Sequence, residues 1–454
     1  MFSKMLNNIQ NVKSGSIKVI QIIQERLAIL EEQNPKVNAI VEYYPQLLLE
    51  QAKELDGKIE NGFQGKLCGV IVTVKDNLEV EGFKATAGML RFKENVSKGD
   101  CTIVRMLRKE GALIIGKTNL PAGAMDVQTD NKVYGRTNHP SFMNRTCGGS
   151  SGGGACSVAI GISDIDIGND FMGSIRIPAH FCGIYGLVAT DDTIPLEKII
   201  GGKPYGSTMS KILRSGLQAS SLFDLEYVFQ IISKAEKVLV PKVLQSKLMI
   251  AYTTSAGGLI LSEEYAQAYH KYREKLSHEH NLVEIKDKDF DFEKARECFL
   301  KLLYANIAIT LPPVLRFLAR TIGGKQFMVT NLKHYLETED IREKCIEELE
   351  KLLCYFDVLL SPVCSLAAFE HQTPIKMQGE QAVYSDLKIN DEMVPYAAAT
   401  MGFTTPFSLT SSPVITIPIG KNSIGLPMGL QVVGKRNREY DLLQSAKELC
   451  KYKA

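Results

Sequence analysis

Two short apolar runs separated by an amphipathic stretch narrow the folds open to this chain of 454 residues. The runs are GVIVTVKDN (69–77) and ALIIGKTNL (112–120), and GDCTIVRMLRKEG (99–111) lies between them. β-Branched runs of this length, without polar alternation, read as strands buried on both faces. The segment between them has helical periodicity and a glycine, Gly111, positioned to cap its C-terminus. Strand, helix and strand in this order predict a parallel crossover. The expected fold class is therefore α/β, with a central mixed, mostly parallel twisted sheet covered by helices on both faces.

The same reading extends along the chain. SIKVIQIIQERLAILEEQ (16–33) predicts a helix with Ser16 as N-cap and Pro35 just beyond its end, and residues 47–60 predict a second. ACSVAIG (155–161) suits a helix, and KLMIAYTT (247–254), DVLLSPV (357–363) and VITIPIG (414–420) suit strands. GLPMGLQVVG (425–434) predicts a closing strand and EYDLLQSAKELCKY (439–452) a final helix. Residues 263–350 are charged and helical in pattern, including IREKCIEELEKLLCYF. No repeat, low-complexity tract or Pro/Ser linker divides the chain, so one large domain over 1–454 is expected.

Several function classes fall away on composition. A formal charge of +2 gives no support for nucleic acid or an anionic membrane as partner. Ten cysteines without a CxxC pair read as reduced thiols. His278 and His280, in LSHEHN, read as a solvated turn; without HExxH or a Cys/His cluster, no metal is expected. The start, MFSKMLNNIQNVKSG, lacks a signal-peptide core, and no run of about eighteen apolar residues predicts a membrane span. A cytoplasmic enzyme is the expectation.

Three polar residues stand out. Lys75 ends the first apolar run, where an ammonium must be solvated, paired or deprotonated; taken alone, it reads rather as an exposed turn lysine paired with Asp76. Ser150, with Ser151 beside it, sits in CGGSSGGG (147–154), which reads as a flexible loop, a phosphate cradle, or space cleared around a reactive hydroxyl. Ser174 follows Gly173 in NDFMGSIRIPAH (169–180), where an N-cap serine is the bland alternative. Together they suggest a serine nucleophile served by a neutral lysine. Such a base needs its pKa lowered by roughly three units, near 4 kcal/mol, which burial and hydrogen bonding can supply.

The run GGSSGGGACSVAIGISDIDIGNDFMGSIRIPAHFCGIYGL closely resembles the amidase signature family, whose pattern is roughly GGSSGG, a small-residue helix, then GTDxGGSIRxPAxxCGxxGLKPT. Further similarity lies in GVIVTVKDN, DCTIVRMLRKEGALIIGKTNLPAGAM, QTDNKVYGRTNHP, DVLLSP, PFSLTSSPVITIP and GLPMGLQVVG. It is strongest over about 65–235, weakens over about 235–350 and returns over about 355–454. The resemblance implies a Ser–Ser–Lys triad of Lys75, Ser150 and Ser174, with a cis peptide bond before Ser150. Ser174 would attack an amide carbonyl while Ser150 relays its proton to Lys75, and the N–H groups of Phe171, Met172, Gly173 and Ser174 would hold the oxyanion. Ser151, Asp170, Arg176 and Gln128 would support the site or touch substrate. No cofactor or metal is implied, the partner is a small-molecule amide, and a homo-oligomer is left open.

Departures accompany the match. Asn169 and Met172 replace the Thr and Gly of GTDxGG, and GLVAT (186–190) replaces GLKPT. A φ above zero at Met172 would be strained. The alternatives are an impaired, binding-only member of the fold, or an amidotransferase A-type subunit supplying ammonia for tRNA-dependent amidation. AMDVQTDN (124–131), in place of the AMGSSTE-like segment of those subunits, favours a stand-alone hydrolase. A nucleotide-binding enzyme is disfavoured because no GxxxxGK[ST] is present. Residues 200–350 are expected to shape the substrate pocket.

Overall fold

The computed structural model describes residues 3–200, 207–234, 239, 247–310 and 332–452. The sheet begins with Ile40–Glu42 (β1), Ile71–Lys75 (β2) and Leu113–Thr118 (β3), and β2 and β3 are buried at every position. It continues through Ile165–Asp170 (β4), Tyr185–Val188 (β5) and Arg214–Ala219 (β6). Met249–Tyr252 (β7), Asn281–Glu284 (β8) and Val358–Pro362 (β9) follow. Lys376–Gln378 (β10) with Gln381–Val383 (β11), and Leu387–Ile389 (β12) with Glu392–Val394 (β13), form two small separate ribbons. Val414–Lys421 (β14) and Pro427–Val433 (β15) complete the main sheet.

Eleven strands lie in the order β1-β3-β2-β4-β6-β5-β14-β15-β9-β7-β8. The sheet is mixed, as expected, but antiparallel neighbours predominate, with six such pairs against four parallel ones. Parallel pairing is confined to β3-β2-β4 and β9-β7-β8, where helical crossovers join the strands. Between them β6 returns against β4, and the β14–β15 hairpin closes through a short turn, so the middle of the sheet is antiparallel.

The helices preceding the site are Lys4–Lys13 (α1), Val19–Val37 (α2), Pro45–Glu60 (α3), Thr102–Lys109 (α4), Gly152–Ala159 (α5) and Arg176–Cys182 (α6). Val72 and Val74 share a core with Val104 and Leu107 of α4 and with the helices Leu222–Ile232 and Glu439–Leu449. Ile71, Leu113 and Ile115 pack instead with α2 and α3. Strand alternation puts Thr73 and Lys75 on the same side as Ile71, so that face changes from apolar to polar toward the carboxyl end of β2.

Some expectations are corrected. The helix expected from Ser16 is α2, which begins at Val19 and contains Pro35. The Asp56 carboxylate of α3 accepts from the N–H groups of Val19 and Ile20 at 2.7 and 3.0 Å, a cap supplied from another helix. His280 is buried, its Nδ1 accepting from Leu248 N–H at 3.3 Å, and only His278 fits the solvated turn. The charged segment 263–350 includes β8 as well as helices Glu263–Ser277, Phe292–Thr310 and Leu332–Leu353; residues 311–331 lie outside the described residues. So do 201–206, 235–238 and 240–246, which share the expected pocket region. No disulfide joins any of the ten cysteines.

Candidate active site

Lys75 ends β2 with no exposed surface. Its Nζ lies 2.7 Å from Ser150 Oγ, 3.0 Å from Asn169 Oδ1 and 3.4 Å from the Asn169 carbonyl. Burial brings the amine down from 10.5 to about 7, against the opposing pull of the Asp166 and Asp170 carboxylates. The exposed-turn reading of Lys75 is thereby excluded.

The glycine stretch is a packing device rather than a flexible loop. Gly148 has φ 83, and a Cβ there would stand 2.7 Å from Pro178 Cα. A Cβ at Gly154 would stand 2.0 Å from Asp166 Oδ2. The segment 152–154 forms the first turn of α5, which lies directly on the sheet beside Thr73, Thr118 and Asp166. The Gly149–Ser150 bond is cis, and Ser150 is buried at the start of this turn. Ser151 N–H donates to the Ser174 carbonyl at 3.0 Å, joining the two serine segments through the backbone.

The turn bearing Ser174 is organised by Asp170. Its carboxylate accepts from Gly173 N–H at 2.8 Å, from Ile175 N–H at 3.0 Å, and from Arg176 Nε and Nη2 at 3.1 and 2.9 Å. Burial alone would push this carboxyl up, but the Arg176 charge and these bonds hold it well below the carboxylate range. Gly173 N–H, expected to face an oxyanion, is thus committed to Asp170. The N–H groups of Phe171, Met172 and Ser174 make no hydrogen bond among the described residues, and neither does the half-buried Ser174 hydroxyl.

Met172 does not carry the feared strain. The positive φ of this turn falls on Gly173, at 115°, where a Cβ would meet Thr404 Oγ1 at 2.7 Å. Thr404 Oγ1 donates to the Met172 carbonyl at 2.5 Å, and the Phe171 ring stands 5.5 Å from that of Phe299. Met172 and Phe171 both pack against an apolar cluster that includes Phe299 and Phe403.

Of the remaining expected residues, Ser151 is buried, and its hydroxyl makes no hydrogen bond among the described residues. Gln128 is buried, its Oε1 accepting from Gln372 N–H at 2.9 Å. The sequence reading missed Asp166. It is fully buried on β4, its Oδ1 accepts from Thr73 and Thr118 at 2.8 and 3.1 Å, and burial raises it to about 7. A signal existed in the glycine at 154, which makes room for the carboxylate. Among the described residues no group of His, Cys, Asp or Glu side chains is placed to hold a metal ion.

A family model for amidases matches residues 21–443. The chain belongs to the amidase family. Among curated relatives, the A-type subunit of glutamyl-tRNA(Gln) amidotransferase from Thermoanaerobacter pseudethanolicus is 28% identical, over 96% of this chain and 93% of its own. Its counterpart from Archaeoglobus fulgidus is 26% identical over 88% and 89%. The same amidase fold occurs in a 6-aminohexanoate cyclic dimer hydrolase, with TM-score 0.82 at 22% identity over 99% of this chain and 97% of the other. A bacterial aryl acylamidase gives TM-score 0.81 at 19% identity over 99% and 96%. The chain is accordingly an enzyme of the amidase family.

Proposed function

We propose that the protein hydrolyses a carboxylic acid amide through an acyl-enzyme on Ser174. Neutral Lys75 accepts the Ser150 proton as Ser150 takes the proton of Ser174, and the Ser174 oxygen forms its bond to the amide carbon. The N–H groups of Phe171, Met172 and Ser174 receive the negative charge, and Gly173 contributes by fixing the turn. The proton held on Lys75 returns through Ser150 to the amide nitrogen, the C–N bond breaks and the amine leaves. Water then adds to the acyl carbon, gives its proton to the same base, and Ser174 is regenerated as the acid departs.

The observation carrying this reading is the 2.7 Å contact between Ser150 and a fully buried lysine whose neutral form burial favours. The test is labelling by a serine-directed fluorophosphonate. Stoichiometric modification at Ser174, lost in Ser174→Ala and Lys75→Ala, is expected; an unlabelled wild-type protein would favour an impaired, binding-only member instead.

A second reading, an amidotransferase A-type subunit, is favoured by the names of the curated relatives. AMDVQTDN argues for a free-standing hydrolase with another substrate. Its Asp126 carbonyl lies 2.8 Å from where a Cβ on Gly149 would stand, so this departure adjoins the cis bond. Turnover of aliphatic, aryl or fatty amides in preference to glutamine supports the hydrolase. No helix among the described residues is long and apolar enough to cross a membrane, and a cytoplasmic location is part of the same proposal.

A further inference from the structure

Asn169 stands where the family pattern has threonine, and it supplies two of the three atoms that hydrogen-bond to the Lys75 nitrogen among the described residues. A neutral primary amine has two N–H donors and one lone pair, whereas an ammonium has three donors. The Asn169 side-chain oxygen at 3.0 Å and its carbonyl at 3.4 Å can only accept. They engage both donors of the neutral amine, which leaves its lone pair facing the Ser150 hydroxyl at 2.7 Å. Asn169 is itself held, because its Nδ2 donates to Asn77 Oδ1 at 3.1 Å and both residues are buried.

We propose that Asn169 is a positioning residue that aims the lone pair of Lys75 at Ser150 and accepts from that nitrogen in both of its protonation states. This rests on the Ser–Ser–Lys reading above. When the proton arrives from Ser150, the new N–H points back along the path it came by, and neither bond to Asn169 breaks. The base then cycles without rearranging its surroundings, the condition under which prearranged dipoles lower a barrier.

The charged groups facing Lys75 are Asp166 and Asp170, both from β4. Asp170 is tied to Arg176, and Asp166 to Thr73 and Thr118. β3 presents Thr118 beside it, and α5, GGGACSVA, carries no charged side chain. A new charge at position 169 therefore acts on the amine directly.

The experiment is the rate of fluorophosphonate labelling of Ser174 from pH 5.5 to 9.5 in the full chain, which needs no knowledge of the substrate. Asn169→Leu removes the side-chain acceptor and is expected to label about tenfold or more slowly at every pH. Asn169→Asp adds a carboxylate beside the amine; the acidic limb should move up by about one to three pH units, with labelling recovered at alkaline pH. Asn169→Thr, which keeps an acceptor oxygen, should restore most of the rate lost in the leucine variant. A folded Asn169→Leu with wild-type rate and limb overturns the proposal, and if that variant fails to fold, an unmoved limb in Asn169→Asp does so. A wild-type protein that takes no label at Ser174 overturns the underlying reading instead, a distinct result.

Discussion

Lys75 has no exposed surface, and its amine is brought from 10.5 to about 7 by burial. Between those values the unfolded chain holds a proton that the folded chain has lost, so this group makes stability rise with pH from about 7 to about 10.5. Below about 7 both states are protonated, and the folded state bears the full penalty, on the order of 5 kcal/mol. Lys75→Met should therefore be more resistant to urea than the wild type at pH 6, with the gap closing toward pH 10; paired unfolding curves at the two pH values check this. For activity the sign follows from the need for a lone pair. Labelling of Ser174 by the wild type should climb as pH passes through about 7, and Lys75→Met should label at no pH.

At the level of elements, α5 approaches β4 more closely than side chains would allow. A Cβ on Gly154 would stand 2.0 Å from Asp166 Oδ2, and one on Gly153 would stand 2.4 Å from the Asn119 nitrogen. Gly154→Ala should cost about 1–3 kcal/mol by overpacking. With Asp166→Ala already present the obstacle is gone and the helix preference of alanine, about 1 kcal/mol, should reverse the sign; a double-mutant cycle in urea measures both. The same contact explains what the sequence concealed. β2, β3, β9, β14 and β15 were legible because buried apolar residues advertise themselves. β4 and β6 were not, since IDIGND and RSGLQA carry Asp166, Asn169, Asp170, Arg214 and Gln218 on strands that are buried throughout. Partners elsewhere make that burial tolerable: Arg214 donates to the carbonyls of Ala189 and Ser412, and Gln218 to that of Ile175. Such partners lie far off in the chain, as does the Asp56 cap of α2. Lys75, Ser150 and Ser174 could be found from motifs, whereas the contribution of Asn169 and the presence of Asp166 needed the β2–β4 register, which opposes Thr73 to Asp166.

Across the whole molecule, the turn bearing Ser174 is secured by residues more than two hundred positions away. Arg176 joins Asp170 to the Thr404 carbonyl, the Gln431 side chain and Ser408, at 2.6 to 2.8 Å for the last three. Arg176→Met should leave Asp170 charged and unpaired, at a cost of about 3–5 kcal/mol, and Arg176→Lys should recover only part of it because an ammonium lacks the guanidinium fork. Urea titration of the two variants checks the order. The C-terminal part of the chain, through Thr404, Ser408 and Gln431 of β15, thus helps hold the turn that the signature run supplies. The depth of Lys75 also carries a chemical consequence. An amine about half unprotonated near neutral pH would ordinarily be the lysine most open to acylating and arylating reagents, yet among the described residues only a hydroxyl and two amide oxygens hydrogen-bond to it. Bulky amine-directed modifiers will decorate the outer lysines and leave this one untouched, its reactivity kept private by the walls around it.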